Sequence, residues 1–95
     1  MTTTNTTAAL KAGITSMSQL RAMQILVSGP ETLTNLAATI GISTAAITGL
    51  ADKFERLGLA VRVRGSIDRR SVWLRLTPSG QAIADTIAAP QPVTA

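Results

Sequence analysis

From residue 15 to residue 57 the apolar positions return at helical spacing in three successive blocks, and from residue 59 the spacing drops to two. In the first block Met17, Leu20, Met23 and Val27 share one helical face, with Thr15 or Ser16 ahead of them as a cap. Ser28-Gly29-Pro30 ends that helix, because Gly suits the turn beyond a helix and Pro cannot continue its hydrogen-bond ladder. Thr32 caps a second helix carrying Leu33, Leu36, Ala37 and Ile40 on one face, and Gly41 stops it. Ser43 caps a third, in which Ile47, Leu50, Phe54 and Leu57 make a single buried stripe that Gly58 closes. The break Gly41-Ile42-Ser43 is short enough to force the second and third helices to cross steeply, with Ile42 filling the angle.

Beyond Gly58, Val61 and Val63 alternate with Arg62 and Arg64, and Val72, Leu74 and Leu76 alternate with Ser71, Trp73 and Arg75. Period-two alternation predicts two half-buried strands, valines and leucines inward, arginines and Trp73 outward, joined by the turn 65–70. Thr77-Pro78 then restarts a helix, Thr as cap and Pro at the first helical position, through about Ala89 with Ile83 and Ile87 buried. Residues 8–14 leave room for an extra turn or two, broken at Gly13. The expected fold is mainly α with a small β-wing, a winged helix-turn-helix in the order α-α-α-β-β-α over residues 8–89. Tails are expected at 1–7, rich in threonine, and at 90–95, which holds two prolines.

Composition narrows the chemistry. With no histidine and no cysteine, imidazole catalysis, thiolate metal sites and disulfides are excluded. No carboxylate pair, nucleophile–base pair or glycine-rich phosphate loop stands out, so the expectation is a non-enzyme without cofactor or metal. Asp52, Glu55 and Asp68 read as surface or pairing residues. The apolar runs are too short for a bilayer span, and MTTTNTTAAL lacks the basic and apolar regions of a secretion signal, so a cytoplasmic location is expected. Only Phe54 and Trp73 are aromatic; the resulting thin core of Leu, Ile, Val and Met favours a dimer that shares apolar surface.

The net charge of +4 favours an anionic partner. Five of the nine basic residues, Arg62, Arg64, Arg69, Arg70 and Arg75, sit in the hairpin against one acid, Asp68, so repulsion there is not relieved locally. At the exposed start of the third helix Thr44, Ala45, Thr48 and Gly49 are small enough to approach base edges, where methyl groups meet thymine and hydroxyls bond either base type. Thr32 and Ser43 cap helices whose free N–H groups suit phosphate. Lys53 and Arg56 follow, offset by Asp52 and Glu55, and Asp52 to Arg56 is a stabilising i, i+4 pair. Trp73, expected beside the arginines, is placed either to stack on Arg62 or Arg64 or to anchor a protein partner.

Read in order, GIT and SQLRAMQIL, then LTNLAATIGIS, AAITGLADKFERLGLAVR, DRR and LRLTPSG, the span from Gly13 to Gly80 resembles the MarR family of bacterial winged-helix regulators. The resemblance implies double-stranded DNA as partner and a recognition helix, here Thr44 to Leu57, in the major groove. It also implies a wing arginine in the minor groove. The family's wing signature, Asp-any-Arg, falls on Asp68 and Arg70, the acid orienting the base. Lys53, Arg62, Arg64, Arg69 and Arg75 are then the remaining cationic DNA contacts. Gly49 stands where the family often has a basic residue. Family members are longer and dimerise through terminal helices, so a homodimer with a reduced interface is expected. The function expected is a DNA-binding transcriptional regulator, a repressor; the alternative is a winged-helix protein-interaction module, a small phage or plasmid adaptor or inhibitor, gripping its partner through Trp73.

Overall fold

A computed structural model describes residues 6–65 and 70–88. Five helices and three short strands follow in the order α1 (Thr6–Lys11), α2 (Met17–Leu26), β1 (Glu31–Thr32), α3 (Leu33–Ile40), α4 (Thr44–Arg56), β2 (Ala60–Arg64), β3 (Val72–Leu76) and α5 (Pro78–Ala88). All six expected elements are present. Two more accompany them: α1, which begins two residues inside the expected tail, and β1. The remainder of both expected tails, 1–5 and 90–95, lies outside the described residues.

Local capping chemistry sets the helix starts. Ser16 Oγ accepts from Gln19 N at 3.2 Å, Thr32 Oγ1 from Asn35 N at 3.1 Å and Ser43 Oγ from Ala46 N at 3.0 Å. Each bond satisfies a donor that the first helical turn leaves without a partner. Thr77 does the same for α5, accepting from Gly80 N at 3.0 Å while its hydroxyl donates to Gly58 O at 2.6 Å. Gly41 closes α3 in the left-handed region at φ 83°, which a side chain would resist. Across this break the chain turns by 113° between α3 and α4, within the range of a helix-turn-helix. Ile42 packs half-buried against the core at the corner.

The core gathers Met23 and Leu26 of α2, Leu36 of α3, Ile47 and Phe54 of α4, Leu74 of β3 and Ile87 of α5, all fully buried. Two expected stripe positions fall outside it. Met17 is 70% exposed, because the inward face of α2 is Ala22, Met23 and Leu26. Leu57, 40% exposed, follows the last residue of α4 and lies over Gly13, where a Cβ would come within 3.1 Å of it. Ala51 joins Ile47, Leu50 and Phe54 in its place.

The sheet is antiparallel, in the order β1-β3-β2. β1 pairs Glu31 with Leu74 and Thr32 with Trp73, so Thr32 both ends a strand and caps a helix. In β2, Ala60, Arg62 and Arg64 stand opposite Leu76, Leu74 and Val72, whereas Val61 and Val63 stand opposite Arg75 and Trp73. Directly opposed residues share a face. The phase expected for β2 is therefore inverted. Val61 and Val63 lie on the outer face with Trp73 and Arg75, and Arg62 lies on the inner face with Leu74. The cause is Ala60, buried beside Leu76 at the foot of the strand, which fixes the register from that end.

Candidate nucleic-acid interface

The helix expected to read DNA is α4. With Ile47, Leu50, Ala51 and Phe54 turned to the core, helical periodicity puts Ala45, Gly49, Asp52 and Arg56 on the opposite, outward ridge. All four are exposed. Thr44, Thr48 and Glu55 form the flank toward the wing, and Ala46 and Lys53 the flank toward α2. Arg56, expected to pair with Asp52, thus lies on the same ridge as Ala45 and Gly49.

On the wing side the expected contacts Thr32, Thr44, Thr48 and Arg70 come together, with Leu33, Thr34, Ile47, Ser71 and Val72, around a cleft of about 390 Å³. Thr32, Thr34, Thr44, Thr48 and Ser71 bring hydroxyls to it and Arg70 a guanidinium, and the first residues of α3 and α4, Leu33 and Thr44, line it. Thr34 and Ser71 are additions that chain order does not bring near α4; only the fold does. Thr48 Oγ1 donates to Thr44 O at 2.9 Å, so its hydroxyl oxygen remains an acceptor. On the other side Gly49 and Ala46 border a smaller cleft with Ser16, Ser18 and Gln19 at the start of α2.

Lys53 and Arg62, both expected at DNA, have hydrogen-bond partners within the protein. Lys53 Nζ donates to Thr15 Oγ1 at 2.8 Å and to Gln19 Oε1 at 3.1 Å, tying α4 to the start of α2. Gln19 Oε1 also accepts from Thr15 N at 2.8 Å. Arg62 donates through Nη2 to Asp52 Oδ1 at 2.6 Å and to Thr48 O at 3.2 Å, and through Nη1 to Glu55 Oε1. Asp52 thus pairs with Arg62 across the fold rather than with Arg56 along the helix. The Arg62 guanidinium is held above its ordinary pKa, chiefly by the hydrogen bond to Asp52, with burial opposing and Glu55 adding to the rise. It is fully charged at any physiological pH.

Arg75 lies on the outer sheet face, away from α4, where it lines a shallow apolar cleft with Pro30, Val63 and Trp73. The register that turns Trp73 outward puts Arg62 and Arg64 on the other face, so the expected stack of Trp73 on Arg62 does not form. Arg64 is exposed near the wing tip. Asp68 and Arg69 lie outside the described residues. Among the described residues no group of three or more Asp or Glu side chains is arranged to hold a metal ion, and no single helix is long and apolar enough to cross a membrane.

Comparison with known proteins gives the same picture. The chain is 33% identical over 78 residues to the HTH-type transcriptional regulator FarR of Neisseria gonorrhoeae, a match covering 81% of this chain and 53% of FarR. Its fold superposes on YusO of Bacillus subtilis with a TM-score of 0.75 at 26% identity, over 85% of this chain and 57% of YusO. It superposes on the transcriptional regulator BldR of Sulfolobus solfataricus with a TM-score of 0.72 at 30% identity, over 85% of this chain and 60% of BldR. The chain thus spans little more than half the length of these relatives. The MarR family model matches residues 15–72, from the cap of α2 to the start of β3. With that match running through the helix-turn-helix and into the wing, the chain belongs to the MarR family.

Proposed function

We propose that the chain is a DNA-binding transcriptional regulator, a repressor, that reads duplex DNA with α4 in the major groove and the wing in the adjacent minor groove. The observation that carries the reading is the hydroxyl-lined cleft between α4 and the wing, with Arg70 on its rim. Both helix N-termini beside it offer N–H groups to phosphate, at Thr32 and Ser43. Ala45, Thr48 and Gly49 on the open side of α4 meet base edges, and Thr44 meets the flanking backbone. The narrow minor groove attracts a guanidinium through its negative potential, and Arg70 is the residue for it, oriented by Asp68. Arg64 and Arg69 serve phosphates. In this reading Lys53, Arg62 and Arg75 do not.

The working unit is a homodimer, with half-sites about one duplex turn apart. Leu10 and Met17, both strongly exposed, flank an apolar cleft floored by Ala9, Ile14 and Leu20, which suits a second copy.

The test is fluorescence anisotropy against a random-sequence duplex at two salt concentrations. Each phosphate neutralised contributes about −0.9 to the log–log salt slope, and Arg70→Ala is expected to flatten it by about that amount while lowering affinity. Salt-independent binding, or full affinity in Arg70→Ala, would refute the wing mechanism. A folded chain with no DNA affinity would favour the protein-interaction reading, with the outer-face cleft at Trp73 as its seat and Trp73→Ala as the variant that releases the partner.

A further inference from the structure

The hydrogen-bond partners of the Arg62 guanidinium all belong to α4. It reaches both carboxylates and the Thr48 carbonyl, and the Arg62 backbone N–H donates to Glu55 Oε2 at 3.3 Å. The order of exposure is informative. The Arg62 side chain is 28% exposed, while Asp52 is 58% and Glu55 36% exposed, so the acids are the more exposed members of the cluster. Both guanidinium Nη atoms are already committed to the carboxylates and a carbonyl. The acids, by contrast, stand on the outward ridge and the wing-side flank of α4. Left without a counter-charge, they would oppose a polyanion at the surface through which α4 enters the groove.

We propose that Arg62 is a positioning residue of the interface. It neutralises Asp52 and Glu55 on the DNA-facing side of α4 and locks β2, the first strand of the wing, to the recognition helix, so that helix and wing dock as one body. The planar guanidinium is suited to this, since it serves two carboxylates and a carbonyl at once. The inference rests on the DNA-binding reading above and adds to it an internal charge node that no contact with DNA explains.

A double-mutant cycle read as DNA affinity separates this from a phosphate contact. Arg62→Gln is measured in the native background and in an Asp52→Asn/Glu55→Gln background, on the full chain with a labelled random-sequence duplex, and each variant is checked by thermal melting. If Arg62 acts through the acids, its loss weakens binding about tenfold in the native background and less than about threefold once the acids are amides. Equal losses in both backgrounds would mean that Arg62 touches the DNA itself, and the proposal would be wrong. Should Arg62→Gln alone fail to fold, the triple variant decides. A folded triple variant that binds within about threefold of the native chain supports the node, and one that is folded but does not bind overturns it. Absence of salt-sensitive binding by the unsubstituted protein would remove the DNA reading and this inference together; binding with additive losses would remove this inference alone.

Discussion

Gly49 and Gly80 are both helical glycines, yet they answer to opposite constraints. At Gly80 a Cβ would collide with the Leu59 carbonyl oxygen and stand 2.8 Å from its carbonyl carbon, because α5 crosses the chain leaving α4 at backbone contact. Gly80→Ala should therefore destabilise the fold by about 2 kcal/mol or more, through forced backbone movement, and lower the melting temperature. At Gly49 a Cβ would meet nothing within 4 Å. Packing does not ask for glycine there, and Gly49→Ala should stabilise α4 by about 1 kcal/mol. If the missing Cβ serves a close approach to DNA, the same variant will be more stable and bind DNA less tightly. Unchanged affinity would reduce Gly49 to a neutral surface position. Helical periodicity alone does not separate the two residues, since each is a lone Gly in a helical pattern.

At the scale of elements, α4 is held on both flanks by long side chains. Lys53 ties it to the N-terminus of α2, and Arg62 ties it to β2. Such exposed contacts are individually weak, and Lys53→Ala should cost under about 1 kcal/mol. Its informative readout is the salt dependence of DNA binding, which should keep its slope; a loss of about 0.9 would show that Lys53 contacts a phosphate. Glu55 has a second role in β2. As an edge strand, β2 presents backbone groups on the side away from β3, and the Arg62 N–H among them is taken by Glu55 Oε2. Covering a donor in this way blunts the edge against pairing with another chain. β1 shows the limit of pattern reading for short elements. Two residues, Glu31 and Thr32, cannot display alternation, and the helix cap on Thr32 was the stronger local signal.

At the scale of the molecule, a core built from Leu, Ile, Met and Ala with Phe54 as its one aromatic side chain leaves apolar surface at the α1–α2 corner. If this is where a second copy docks, Met17→Glu should shift the protein toward monomer in sedimentation equilibrium and leave its melting temperature, measured at low concentration, little changed. A chain that is monomeric before substitution would rule the interface out. The proposed dimer and the charge node make different demands on DNA binding. Loss of the dimer should affect paired half-sites most, whereas loss of Arg62 should weaken binding to any duplex.

What the sequence determined by itself was the six main elements and their order. Those signals are local: a hydroxyl three residues ahead of an unpaired N–H, a glycine where the chain must turn left-handed, and a period that passes from helix to strand at Leu59. Together with the GLAVR, DRR and LRLTPSG segments they were enough for the winged helix-turn-helix and for the family. Tertiary structure decided which face of β2 is inward, because register depends on Ala60 packing beside Leu76 rather than on alternation alone. It also decided what Lys53 and Arg62 touch within the protein. Both carry a positive charge in the sequence, but a charge takes the partners its neighbourhood offers. Those neighbours, Thr15 and Gln19 for one and Asp52 and Glu55 for the other, are brought there by folding across intervals of 38, 34, 10 and 7 residues.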